Sequence, residues 1–431
     1  MINMPNKTLQ REINDYIKNI KKTKKSNKNA NKKSTIKWTA SAMSKARLKV
    51  SPEIFIELNK ELIVDIYEDK EEIKLYKDFR ILGTDGTRLQ LPNMNIAKDK
   101  MQSEHIKEIY GQSSDHNGKY GVMPRASIIY DLENNFIIDG ILGSLYTSEA
   151  FMAIEHINRL IEYKQNIKTQ YNDLLIYDRG YPSMGLICYH YKHKLDFLMR
   201  VNSKSFKALN LFRQSNKTDE VIEVEVTRSI LANLSQDKQH PCLKQIQQEL
   251  KVKDKVKVRA IKVLLDDGEI EILLTSLLSQ EKYPNDIFKE LYFKRWKVEI
   301  SYDILKNIFK VENFSGLTQI AINQDFFACI LTSNICSLIM SVVMEEKVSL
   351  YNKDKEKKKR KYFYQLNKKF SIGCMKNNLV LMLIENTSIN KIYQTIEDEI
   401  MDSLLPIKPD RKFSRNIKYN AKFPVSKKDG Y

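Results

Sequence analysis

Five cysteines in 431 residues give this chain no disulfide framework. Cys188, Cys242, Cys329, Cys336 and Cys374 are widely spaced and form no C-x-x-C pair. That excludes a zinc site of the usual kind and suits reduced core thiols in a cytosolic protein. Histidines number only six, and none stands where a catalytic base or ligand would. His190 and His193 with Asp196 make a weak metal pair at best, and a helix surface after Pro182 accounts for them more simply. No apolar stretch follows the basic N-terminus, so no signal peptide is expected. One segment has membrane-spanning length, Phe326 to Met344. Thr332, Ser333 and Asn334 interrupt it and Gln324, Asp325, Glu345 and Glu346 flank it, so it reads as a buried core helix and no membrane partner is expected.

Acidic residues are missing from the two ends. Residues 1–50 hold 14 Lys and Arg against 2 acids, and residues 408–431 hold 8 against 2. The formal net charge of +18 is therefore entirely terminal, and the body between is neutral. A general bias toward Lys, Asn and Ile would spread the lysines evenly. Two basic ends on a neutral body suit a protein that grips a polyanion with flexible arms, DNA first among them, because each neutralised phosphate releases counterions.

What is present begins with LYFKRWKVEISYDILKN, in which Tyr292, Arg295, Glu299 and Lys306 are spaced by three, four and seven residues. At ~100° per residue they fall within a stripe about 60° wide on one predicted helix. A phenol, a guanidinium, a carboxylate and an ammonium aimed at one place suit a phosphate beside a metal ion; a solvated, salt-bridged face is the plainer alternative. Two further carboxylates stand at predicted strand ends. Asp85 lies in FRILGTDGTRLQLP, in or beside a strand, and Asp178 closes the apolar run Leu174-Leu175-Ile176-Tyr177 before Arg-Gly-Tyr-Pro. Singly, an Asp-Gly turn and a helix cap explain these two as well.

Together, DGT at Asp85, YDRGY around Asp178 and Y-x2-R-x3-E-x6-K from Tyr292 resemble the DDE transposases of the insertion-sequence 4 family. The resemblance runs from about Ala40 to Glu346, and a basic tail like Lys408 to Lys428 is usual there. It implies an α/β fold with a ribonuclease-H-like mixed sheet flanked by helices, interrupted by a β-rich insertion domain, with a helical N-terminal DNA-binding region and a helical C-terminal region. On that plan residues 1–34 form a basic disordered arm and 35–78 the N-terminal DNA-binding region. Residues 79–201 begin the catalytic core, 202–290 form the insertion, 291–346 carry Glu299, and 347–431 end in the basic tail. The 120 residues between Asp178 and Glu299 exceed what one strand and one helix need, which is why an insertion is expected.

By the same resemblance Asp85, Asp178 and Glu299 are the catalytic triad and hold two Mg²⁺ ions, with Mn²⁺ able to substitute; all-oxygen ligation favours these over zinc. Tyr292, Arg295 and Lys306 bind DNA phosphates. Asp303, four residues after Glu299, is the competing carboxylate. The implied reaction is cut-and-paste transposition: a nick at the element end, a hairpin, and joining to target DNA. The partners are double-stranded terminal repeats and target, the assembly is a homodimer on DNA, and the setting is the bacterial cytoplasm, on the nucleoid. Relatives stack a tryptophan of the insertion on a flipped base. Here the only tryptophans are Trp38 and Trp296, so Phe206, Phe212, Tyr283 or Phe288 would have to substitute, with Trp296 expected in core packing. A ribonuclease-H-like nuclease without end pairing and a silent DNA-binding repressor remain the alternatives.

Overall fold

Two helices, α1 (Ala40–Arg47) and α2 (Glu53–Glu68), precede the first strand. The Thr39 hydroxyl caps α1 by accepting from the Ala42 amide. Strand β1 (Phe79–Arg88) is buried without alternation from Phe79 to Thr84, as a strand covered on both faces must be. This computed structural model describes residues 10–11, 13–14, 17–18, 38–68, 73–92, 100–114, 120–168, 171–201, 206–236, 241–265, 268–384 and 389–409. The expected arm at 1–34, but for six residues, and nearly all of the basic tail lie outside them.

After β1 come α3 (Lys100–Tyr110) and a short antiparallel pair, β2 (Gln112–Ser114) and β3 (Tyr120–Val122). The hairpin β4 (Arg125–Asp131) and β5 (Ile137–Gly143) follows. It turns where the Asp131 carboxylate accepts from the amides of Glu133 and Asn134, each at 2.8 Å, and Asn135 takes a φ of 63°. Both are habits of Asx side chains in tight turns. The Ser148 hydroxyl caps α4 (Glu149–Asn166), which leads to β6 (Asn172–Tyr177); Ser183 caps α5 (Met184–Lys192), which leads to β7 (Asp196–Val201).

The segment expected to be β-rich holds as many helices as strands among its described residues: α6 (Lys207–Gln214), β8 (Asp219–Glu225), α7 (Arg228–Gln236), α8 (Pro241–Glu249), β9 (Lys255–Leu264) and β10 (Ile270–Thr275). Its strands continue the main sheet. The eight strands run β5-β4-β1-β6-β7-β10-β9-β8, and Leu198 of β7 stands opposite Thr275 of β10. β6 lies parallel to β1 and to β7; the other neighbours are antiparallel.

The whole sheet belongs to one compact unit, residues Lys60–Leu89 with Pro124–Asp303. The helices α9 (Ile287–Phe293) and α10 (Trp296–Asn307) follow it. Sequence periodicity predicted one helix here. The chain instead breaks at Lys294 and Arg295, where the amides of Arg295 and Val298 bond three residues back, at 3.0 and 2.9 Å. A tightened turn of this kind needs no proline or glycine to mark it.

The second unit comprises Met1–Asn59, Gln90–Met123 and Ile304–Tyr431. Its central element is α11 (Gln319–Val343), long and apolar enough to cross a membrane by length and composition alone, with half of its apolar stretch buried. Polar side chains tie α11 into this unit. The Arg47 guanidinium donates to Gln324 Oε1 at 2.6 Å and to the Ala321 carbonyl at 2.7 Å, and Asn334 donates to Asn59 at 2.7 Å. Buried polar groups so fully met belong to a packed core.

Candidate active site

The parallel register sets the first two carboxylates at the same height. Gly83 of β1 pairs with Ile176 of β6, and two residues beyond each stand Asp85 and Asp178. Both come from apolar runs that the sheet buries, and both reach the end where backbone pairing between these strands stops, the place where open α/β sheets gather ligands.

The two aspartates differ in their surroundings. Burial drives the Asp85 carboxyl up to about 6, against the opposing pull of the Gly86 amide, which donates to Oδ1 at 2.8 Å, and of the Arg295 guanidinium. For Asp178 burial also pushes upward, but the Arg179 amide at 2.6 Å and the guanidiniums of Arg295 and Arg200 outweigh it and hold the carboxyl below its ordinary value. Arg200 donates to Asp178 Oδ1 from Nε at 2.8 Å, and the Tyr292 hydroxyl donates to the same oxygen at 3.1 Å. Arg200 is shared, since it also pairs with Glu271. The Tyr302 hydroxyl donates to the Asp85 carbonyl at 2.8 Å and fixes the backbone there.

Arg295 is the hub. Its side chain is 3% exposed, and its guanidinium lies 3.0 Å from Glu299 Oε1, 3.7 Å from Asp85 Oδ2 and 4.0 Å from Asp178 Oδ2. Three carboxylates from β1, the end of β6 and α10 therefore converge on one cation. At ~4 Å and an effective dielectric of ~20, each attraction is of order 4 kcal/mol before desolvation is subtracted. The compensation is incomplete: three acids share Arg295 and part of Arg200, leaving net negative charge. Arg295 Nε and Nη1 are buried with no hydrogen-bond partner among the described residues, a cost of ~1–3 kcal/mol that a bound ligand would remove.

Oxygen-only donors and surplus negative charge fit a hard divalent cation. As the side chains stand, Arg295 occupies the space between them, and among the described residues no three acidic, His or Cys side chains are gathered closely enough to enclose an ion.

Five of the six residues singled out in the sequence meet here. Lys306 lies seven residues beyond Glu299 in α10, within the segment assigned to the second unit. Asp303 is exposed one turn after Glu299. Trp296, expected in core packing, is 43% exposed, with the Arg295 guanidinium 5.3 Å from its ring. Phe206, Phe212, Tyr283 and Phe288, the expected substitutes for base stacking, are all buried. His190 is no helix-surface residue either; it is fully buried, with the Tyr177 hydroxyl 2.8 Å from Nε2. Sequence reading passed over Arg200 and Tyr302. The signal for Arg200 was a lone guanidinium inside the apolar strand Phe197-Leu198-Met199-Arg200-Val201, beside the Asp178 strand.

Comparison with known families matches residues 77–335 to the family described as transposase DDE domain. No curated protein sequence matches the chain. Among solved structures, the cryo-EM structure of the piggyBac transposase synaptic complex with hairpin DNA is similar at 13% identity and a TM-score of 0.36, covering 81% of this chain. This chain spans 62% of that protein's length.

Proposed function

Because this chain belongs to the DDE-domain transposases, we propose that it carries out cut-and-paste transposition of an insertion sequence of the insertion-sequence 4 type, with Asp85, Asp178 and Glu299 as its acidic triad. The observation that carries this is the convergence of those three carboxylates on Arg295. Strands β5-β4-β1-β6-β7 then serve as a ribonuclease-H-like core. The protein works on double-stranded DNA as a homodimer at the paired element ends, in the bacterial cytoplasm.

The triad would hold Mg²⁺ or Mn²⁺, which supplies activation of the attacking oxygen and neutralises charge on the leaving oxygen. Arg295 carries the two unmet donors, Nε and Nη1, and these are the ones offered to the non-bridging phosphate oxygens, where fixed positive charge favours the more anionic transition state. Tyr292 keeps its proton, because burial and Asp178 raise its hydroxyl further above neutral pH; it holds Asp178 in orientation and sits beside the phosphate. Lys306 adds a phosphate contact from the far end of α10. Hairpin formation needs a π-face for an extruded base, and the exposed indole of Trp296 replaces the buried phenylalanines and tyrosine in that role.

Purified protein and its Glu299→Gln variant are to be incubated with Mg²⁺ and a labelled duplex carrying the candidate element end, and the products resolved on a denaturing gel. A discrete nick followed by a hairpin, both absent in the variant, is the expected result. Specific binding without cleavage in the wild type would favour a repressor, and cleavage without preference for the end a nuclease.

A further inference from the structure

Arg295 sits in the break between α9 and α10, and the lysines on either side of it, Lys294 and Lys297, reach one place, the turn of the β4–β5 hairpin. Lys294 Nζ lies 2.7 Å from Glu133 Oε1. Lys297 Nζ donates to the Leu132 carbonyl and lies 3.9 Å from Glu133 Oε2. An ion pair on open surface contributes little, but Glu133 and Lys294 are each only 19% exposed. The Lys294 ammonium also stands 5.0 Å from the centroid of the Tyr76 ring, with the exposed Glu290 a more distant neighbour at 3.7 Å.

That turn is itself fastened to the sheet. The Leu132 amide donates to the Ile81 carbonyl of β1 at 2.9 Å, four residues before Asp85. The wholly buried Asp131 carboxylate accepts from the Tyr67 hydroxyl as well as from the amides of Glu133 and Asn134. Asn134 in turn brackets Lys74, accepting from its amide at 2.9 Å and donating to its carbonyl at 3.1 Å. A turn held at so many points keeps its place relative to β1, and whatever it grips on α10 is held relative to the strand of Asp85.

What it grips is the side of α10 opposite Glu299, since Lys297 and Glu299 are two residues apart and hence ~200° apart around the helix axis. Residues at the ends of elements are where a hinge absorbs changes of φ and ψ. The break at Lys294 and Arg295 is such a joint, and a roll of α10 there would carry Glu299 and Arg295 away from the aspartates. Resting on the roles proposed above for Arg295 and Glu299, we propose that Glu133 is a positioning residue of the catalytic centre. Through Lys294 and Lys297 it locks the α9–α10 joint in the rotation that aims Arg295 and Glu299 at Asp85 and Asp178.

One test needs no catalysis. In a full-length Trp38→Phe background Trp296, the neighbour of Arg295, is the sole indole, and its time-resolved fluorescence anisotropy reports motion at the joint. Glu133→Gln is expected to add a fast decay component there with little change in the denaturant midpoint. A decay identical to that of the parent overturns the proposal.

The second test is single-turnover nicking of the labelled element end with Mg²⁺. Glu133→Gln is expected to slow nicking of bound DNA roughly tenfold to a hundredfold, the scale of a misplaced reacting group, with DNA affinity unchanged or raised by the released lysines. Lys294→Met removes the same pair from its other side, so the double variant should be no slower than the slower single one. Losses that multiply in the double variant, or that only follow the unfolding midpoint, make the pair a stabilising contact and overturn the proposal. Should Glu133→Gln fail to fold, Lys294→Met carries both measurements. Glu299→Gln, run alongside, separates the two claims: if it nicks at the wild-type rate the triad itself fails, whereas if it is inert and Glu133→Gln is as fast as wild type, only Glu133 is misassigned.

Discussion

Gly83 of β1 and Val298 of α10 approach so closely that a Cβ on the glycine would lie 2.5 Å from the valine Cγ2. Gly83 is two residues before Asp85 and Val298 one before Glu299, so this contact sets how near the third carboxylate comes to the first. Gly83→Ala is expected to cost ~1–3 kcal/mol as overpacking, and to slow strand cleavage more than it weakens DNA binding. Adding Val298→Ala should restore much of both. Denaturant unfolding with cleavage rates checks this, and a silent Gly83→Ala would remove the contact from any role in the site.

Arg295 neutralises acids that otherwise repel one another. Replacing it with Met leaves three part-exposed carboxylates uncompensated, and, with solvent screening part of the repulsion, a loss of ~1–3 kcal/mol is expected in chelator. Mn²⁺ should return more stability to Arg295→Met than to the wild type, because a second cation then does what the guanidinium did. Thermal unfolding with and without Mn²⁺ measures the difference. An equal gain in both proteins counts against a shared position for arginine and metal.

His190 gives the fold an acid limb. Burial holds its imidazole down to about 3, with Nδ1 bonded to the Leu195 carbonyl at 3.1 Å. The unfolded chain takes up this proton at ~6.5. A depressed base contributes in full above that pH and loses its contribution as pH falls from ~6.5 toward ~3, by up to about 1.4 kcal/mol per unit. His190→Leu should therefore be less stable at pH 8, through loss of the Tyr177 contact, yet show a flatter decline between pH 6 and 4. A variant with the wild-type slope would assign the acid limb elsewhere.

Trp296 is exposed, so Trp296→Ala should leave the unfolding midpoint within ~0.5 kcal/mol of wild type. Stacking on a base is worth ~1–3 kcal/mol, and that loss should fall on hairpin formation with the first nick spared. Time courses that separate nicked from hairpin product decide it. Equal slowing of both steps would make Trp296 a general DNA contact.

The sheet and the positions of Asp85 and Asp178 were legible because apolar runs meet polar punctuation at both. The 3.6-residue period of residues 291–307 was legible too, but the break at Lys294 and Arg295 was not, since hydrogen bonds closing three residues back leave no compositional trace. Trp296 misled for a different reason: apolarity argues for burial, and only packing reveals which large side chain is left outside. Phe212 and Phe288 carry the same signal and are buried. The Glu149 carboxylate stands where a Cβ on Gly86 or Gly180 would meet it, a meeting of three segments far apart in sequence that no local pattern encodes.

Pairing of β10 with β7 also has a consequence for synthesis. As the chain leaves the ribosome, β7 emerges with one flank bare, and Leu198 must wait for Thr275 before that flank is closed. Until then a flat apolar strand next to the Asp178 segment is open to any other extended chain, including a second nascent copy. Truncation before residue 270 should therefore yield aggregates rather than a smaller folded protein.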